Sequence, residues 1–163
     1  MPNRPLMTVT SFDSMLLDRT NRRIVGELAS EGRLSMAELG RRVGLSAPAV
    51  AERVQRLERT GVITGYRAQL DLRALGYPLL ALVRVRPGLR QLEKVRQLAV
   101  DTPEVVECHR VTGEDCFVLK VCLPSIDALG TILDRFLVYG ETTTSIIQTS
   151  PVERRDPPPL AEA

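Results

Sequence analysis

With 163 residues the chain has room for one domain or two small ones, and an apolar content of 44% is ordinary for a soluble globular protein. The net charge of +2 is too small to argue for or against a polyanionic partner. The longest apolar run, 79–83, stops at Arg84 and excludes a membrane span; three Cys with no C-x-x-C exclude a disulfide framework, and a single His excludes a His/Cys zinc cluster, which together point to a reducing cytoplasm, no metal and no cofactor.

The N-terminus has no basic region followed by an apolar core, so no secretory signal is read. Residues 1–14 are Pro-containing and unpatterned and read as a flexible arm. Asp18 then caps a helix running to about Ser30, with Ile24, Val25 and Leu28 as its apolar contacts. Ser35, with Glu38 three residues later, is a capping-box start for a second helix over 36–43. Leu39 and Val43 share one face of that helix, and Gly44 ends it in a left-handed conformation. Ser46 caps a third helix over 47–60, and Pro48 still lies in its first turn, where a missing N–H costs little. Two helices joined by a tight Gly turn form a helix-turn-helix, and the first helix supplies the lid that their core needs.

Val50, Val54 and Leu57 form the buried stripe of the third helix; Pro48, Ala49, Glu52, Gln55, Arg56 and Arg59 lie opposite. On a lone helix this would be an ordinary solvated face. Here the short preceding helix, the turn and the caps agree on a DNA-reading motif. Small residues near the start let a backbone approach, and Arg and Gln farther on form bidentate contacts with guanine and adenine edges. Arg53 flanks the stripe, as a phosphate contact or an intramolecular ion-pair partner. With Ser35 and Ser46, these residues form the candidate interface with double-stranded DNA. Charge agrees: residues 1–76 carry 12 Arg against 8 acidic residues, whereas 77–163 carry 10 basic against 12 acidic. V-I-T-G-Y-R-A-Q-L (62–70) reads as a strand or small β-wing with Arg67 exposed, completing a winged helix-turn-helix over 15–71.

Turn residues over 72–78 read as a hinge to a second domain, 79–150. L-L-A-L-V-R-V-R (79–86) alternates at its end like a strand, and Pro87-Gly88 turns. Leu92, Val95, Leu98 and Ala99 mark a helix to about Asp101. Strands at 105–112 and 116–123 flank the tight turn Gly113-Glu114-Asp115. Ser125 caps a helix with Ile126, Leu129, Leu133 and Phe136 on one face, Gly140 stops it, and 142–149 is a fourth strand. Residues 151–163 read as a disordered tail. The order β-α-β-β-α-β is that of a ferredoxin-like sandwich, so the fold class is α+β. Two helices cover one face of such a sheet, yet the first strand is apolar on both, which calls for a second copy on the open face. A dimer is also what a helix-turn-helix uses to reach two half-sites.

Gly88, Thr112, Gly113, Glu114, Asp115 and Thr142 border the sheet's ends. They are either plain turn residues or the lining of a ligand site, in which glycines expose amides for a carboxylate and Glu114 or Asp115 holds an ammonium group.

Five stretches carry a family resemblance: L-D-R-T-N-R-R-I-V (17–25), G-R-L-S (32–35), L-S-A-P-A-V-A-E-R-V-Q-R-L-E-R-T-G-V-I (45–63), G-Y-R-A-Q-L-D (65–71) and V-V-E-C-H-R-V-T-G-E-D-C-F (105–117). Over roughly 15–150 the chain resembles the Lrp/AsnC, or feast/famine, regulators of bacteria and archaea. The resemblance implies a transcriptional regulator that binds specific DNA sequences and assembles as dimers, often to octamers. It further implies a small effector, commonly an amino acid, held between sensing domains at the glycine hairpin. Two positions depart from the family pattern: Asn21 stands where an acidic residue is usual, and Asp115 follows Gly113 by two residues rather than three.

The competing readings are a metabolite-binding or an enzymatic ferredoxin-like dimer with no regulatory role on DNA. Cys108, His109 and Cys116 lie near one hairpin, but strand neighbours 108 and 109 point to opposite faces, and no acid obviously pairs with His109. No catalytic residue is assigned, and the chain is read as a non-enzyme.

Overall fold

The computed structural model describes residues 18–152 and Pro157. The arm read over 1–14, and the tail beyond 152 apart from Pro157, lie outside the described residues. The chain divides between Ala68 and Gln69 into two compact units. Among the described residues no helix is long and apolar enough to cross a membrane.

The first unit holds α1 (Arg19–Ser30), α2 (Met36–Val43) and α3 (Ala47–Arg59). Each start is capped by the residue the sequence offers. Asp18 accepts from the Asn21 amide at 2.7 Å, Ser35 from that of Glu38 at 3.2 Å and Ser46 from that of Ala49 at 3.4 Å. Gly44 ends α2 at φ +80. Ile24, Leu28, Leu34, Leu39, Val43, Val50, Val54 and Leu57 form one core. Gly40, unremarked in the sequence, makes the α2–α3 corner tight: a Cβ there would lie 2.6 Å from the Leu45 carbonyl oxygen. Polar groups fix α1 against α2, with Arg42 reaching Glu27 and Glu31 at 3.0 Å each, and the Arg23 guanidinium donating to the Val43 and Arg42 carbonyls at the end of α2.

The β-wing expected over 62–70 is not formed, since no strand occurs between α3 and residue 79. The amides of Val62 and Ile63 both donate to Leu57 O, at 2.9 and 3.1 Å, folding the chain back onto α3 and packing both side chains on the helical core. Past Gly65 the segment has no neighbouring strand among the described residues of its unit, and a lone strand cannot satisfy its backbone by pairing. The stretch expected as a hinge is a turn, with the Tyr77 amide donating to Leu72 O at 2.8 Å and that of Arg73 to the Asp71 carboxylate at 2.9 Å.

The second unit contains β1 (Leu79–Pro87), α4 (Leu92–Val100), β2 (Val105–Arg110), β3 (Phe117–Leu123), α5 (Ile126–Leu137) and β4 (Gly140–Ile146). The sheet order is β2-β3-β1-β4 and every neighbouring pair is antiparallel. Ala81, Val83 and Val85 of β1 pack with Phe117, Leu119 and Val121 of β3 against Val95 and Ala99 of α4 and Leu129, Ile132 and Phe136 of α5. Both helices thus cover the same face. The other face carries Leu80, Leu82, Arg84 and Arg86 of β1 and Val118, Lys120 and Cys122 of β3, and Leu82 is 39% exposed.

Two details depart from the sequence reading. Ile132, not Ile126, completes the buried stripe of α5, because Ile126 is the first helical residue and lies over the rim. Gly140 does not stop α5, which ends at Leu137; it opens β4 opposite Pro87, where a Cβ would meet the Arg86 carbonyl oxygen and lie 2.8 Å from Pro87 Cα.

Candidate functional site

The first unit presents α3. Glu52, Gln55, Arg56 and Arg59 are exposed along its outer side, Pro48 is exposed and Ala49 half-buried near its start. Among the described residues, no hydrogen bond or ion pair engages the side chains of Glu52, Gln55, Arg56 or Arg59. This contrasts with Arg41 and Arg42, which are held by Glu38 at 2.7 and 2.9 Å. Hydrogen bonds from Arg41 and then Arg42 pull the Glu38 carboxyl down to about 2. The hydroxyls of Ser35 and Ser46 are used as acceptors in their caps, and their O–H groups remain donors.

Arg53 does not belong to the outward stripe. Its guanidinium Nη1 donates to Asp18 Oδ2 at 2.7 Å and to Asn21 Oδ1 at 2.9 Å, so the intramolecular alternative holds. Burial pushes the Asp18 carboxyl up, but hydrogen bonds from Arg53 and the Asn21 amide outweigh it and hold the group below its ordinary value. Asn21 is 4% exposed, so it sits under the helix pair as a neutral acceptor. A shallow depression lined by Asp18, Asn21, Ala49, Glu52, Arg53 and Arg56 separates the start of α1 from the outer side of α3. Beyond α3, the Tyr66 hydroxyl donates to Glu58 at 2.9 Å; burial, then this bond, raises its pKa to about 12.

In the second unit, the antiparallel register collects five expected ligand residues at one end of the sheet. Pro87 pairs with Gly140 and Val85 with both Thr142 and Phe117, so the Gly88 turn, the start of β4 and the 111–116 hairpin are neighbours there. Thr112, Gly113, Glu114 and Asp115 sit in that hairpin, closed by the Val111 amide on Cys116 O at 2.8 Å. Gly113 has φ +109, and Cys116 takes φ +54, an uncommon conformation for a residue with a side chain. Thr142, the sixth, is half-buried on the helix-covered side, opposite Val85.

Both hairpin carboxylates, expected from the sequence to hold an ammonium group, have an arginine beside them. Glu114 is bonded to Arg86, and Asp115 lies 3.8 Å from Arg84, while Arg86 also approaches Glu141 at 3.9 Å. Arg84 and Arg86 thus border the candidate site, and sequence reasoning missed them. Their alternation with Val83 and Val85 placed them on the open face; which loop lay across from them required the strand order. Cys108 and His109 do point to opposite faces, pairing with Leu119 and Val118. His109 has an acidic neighbour after all: Glu107, two residues away on the same face, at 3.5 Å, which also receives Lys120 at 3.3 Å.

Residues 17–58 match the model of the AsnC-type helix-turn-helix domain and residues 80–157 that of the Lrp/AsnC ligand binding domain. The leucine-responsive regulatory protein of Escherichia coli K12 is 38% identical over 138 residues, covering 80% of this chain and 84% of that protein. The solved structure of B. subtilis LrpC superposes with a TM-score of 0.80 at 32% identity, over 85% of this chain and 99% of the other. The L-Met complex of the transcriptional regulator NMB0573 from Neisseria meningitidis superposes with a TM-score of 0.78 at 25% identity, over 85% and 94% of the two chains.

Proposed function

Because this chain belongs to the Lrp/AsnC family of helix-turn-helix transcriptional regulators, we propose that α3 enters the major groove of a specific operator and reads it with Glu52, Gln55, Arg56 and Arg59. The observation that carries this is the contrast in commitment. The arginines of α2 and Arg53 are tied inside the unit, whereas the polar side chains on the outer stripe of α3 have no hydrogen-bond or ion-pair partner among the described residues. The capped starts of α2 and α3 add backbone amides and hydroxyls at which phosphates bind. A gel shift with DNA from upstream of the protein's own gene tests the reading. A retarded complex that survives excess unrelated duplex supports it, and equal displacement by both DNAs sinks it.

The second unit serves as sensor and assembly domain in this proposal. A second copy covers the open sheet face, whose Leu80, Leu82 and Val118 are surrounded by charge. The effector, an amino acid, binds at the sheet end formed by Gly88 and the 112–115 hairpin, at a boundary between subunits. Two relatives support the class: one is named leucine-responsive and another is solved with L-Met. Arg84 and Arg86 supply a carboxylate anchor there, and ligand entry exchanges their pairing with Glu114 and Asp115. The exchange links binding to hairpin geometry, and a coupling of about 1–3 kcal/mol changes operator affinity several-fold. Calorimetric titration of the twenty amino acids, repeated on Arg84→Ala and Asp115→Ala, is the test; equal affinity in wild type and both variants places the effector elsewhere.

A further inference from the structure

The N-terminal half of α3, A-P-A-V-A-E over 47–52, holds a single polar side chain, that of Glu52. Two positions after the buried Val50, it lies about 200° round the helix axis, almost opposite the core, and it is exposed. A recognition helix places its N-terminal residues against the base edges. Here the alanines and Pro48 offer only apolar contacts, so Glu52 is the first side chain along α3 able to hydrogen-bond a base. Its charge is not cancelled from within. Arg53 next to it is turned away to Asp18 and Asn21, and Arg56, one turn on and lining the same depression, makes no ion pair with it.

We infer that Glu52 is a specificity-determining residue that selects a base pair presenting an exocyclic amine in the major groove, cytosine above all. This rests on the proposal that α3 reads DNA. An ionised carboxylate accepts hydrogen bonds and donates none. Phosphate oxygens, guanine O6 and N7, and thymine O4 are acceptors as well, so each repels it. Cytosine presents its N4 amine with no adjacent acceptor on the same base, whereas adenine sets N7 beside its N6 amine. Where no amine meets it, the carboxylate lowers affinity, which widens the gap between the right operator and the wrong one.

The test is selection of bound duplexes from a randomised double-stranded DNA library by the full chain, as wild type and as Glu52→Gln. The winning duplex and a shuffled one are then titrated with both proteins. Among the described residues the exposed Glu52 side chain makes no hydrogen bond or ion pair, so the variant keeps the fold, which circular dichroism checks. In wild type one position is enriched for cytosine. In Glu52→Gln that enrichment is lost or passes to adenine, whose N6 and N7 fit an amide, with discrimination falling about five- to tenfold. Affinity for the shuffled duplex rises several-fold at low salt. Identical enrichment with unchanged affinity for shuffled DNA overturns the inference. So does a loss of preference confined to the base pair that Arg56→Ala also relaxes, which makes Glu52 a support for Arg56 only. A wild type that enriches no sequence sinks the DNA-reading proposal itself.

Discussion

Arg53 on the third helix is bonded at 2.7 Å to Asp18, the residue that caps the first helix. One carboxylate therefore closes the start of α1 through the Asn21 amide and holds α3 through a guanidinium. The orientation of the third helix is tied to the cap of its neighbour by two side chains 35 positions apart.

Arg53→Ala lowers the stability of the first unit by about 1 kcal/mol, a modest figure because both side chains are over a third exposed and solvent screens the pair. Since Asp18 titrates below its ordinary value when folded, its contribution is complete above the unfolded-state value near pH 4 and disappears as pH falls through the lower folded one. The gap in urea midpoint between wild type and variant accordingly narrows on acidification from about pH 6 to about pH 3. A gap that stays constant over this range excludes the Asp18 pair as its source.

Glu38 titrates at about 2 because Arg41 and Arg42 donate to its ionised form. Its pairs hold fully above the unfolded-state value and are lost as pH drops toward 2. Carboxyl chemical shifts followed by NMR show this directly. Replacing both arginines by Gln returns Glu38 to the ordinary range, while the neighbouring Ser35 cap on its amide remains.

Gly140→Ala is disruptive although alanine is the smallest change available. The added Cβ meets the Arg86 carbonyl and lies 2.8 Å from Pro87 Cα, backbone atoms that yield only if β1 and β4 separate. A loss of about 2–3 kcal/mol from the second unit is expected, read as a lower denaturation midpoint for the sheet with the helix-turn-helix transition unmoved. Unchanged stability means that the strand end relaxes freely.

Arg56→Ala weakens operator binding by about 1–3 kcal/mol and relaxes preference at one base pair, if its guanidinium reads guanine. A uniform loss over all sequences, with a shallower salt dependence, identifies a phosphate contact instead. Quantitative binding to single-base variants of the selected duplex separates the two.

Leu82→Lys places a charge in the middle of the open sheet face. Being 39% exposed in the single chain, Leu82 tolerates the change without unfolding. Burying the new charge against the proposed second copy costs about 2–4 kcal/mol, so light scattering shows a smaller species for the variant than for wild type at equal concentration. A variant of the same size as wild type locates the assembly surface elsewhere.

Much of this molecule was settled by local sequence. Asp18, Ser35, Ser46 and Ser125 begin helices because their oxygens satisfy amides three residues on, a short-range matter that any chain context preserves. The alternation through Ala81, Val83 and Val85 decided which side of β1 would be buried, and the free outer stripe of α3 was legible from the spacing of Val50, Val54 and Leu57. What the sequence left open are relationships between distant segments. Whether 62–70 became a wing depended on a neighbouring strand, and none lies beside it among the described residues. Whether Arg53 faced DNA or Asp18 depended on how α1 crosses α3. That Arg84 and Arg86 meet Asp115 and Glu114 followed from β3 lying beside β1, and that position 140 had to be glycine followed from β4 lying on its other side. Hydrogen-bonding to one's own neighbours is written in the sequence; the choice of a partner far along the chain is made by packing, and it exists only once the elements are in place.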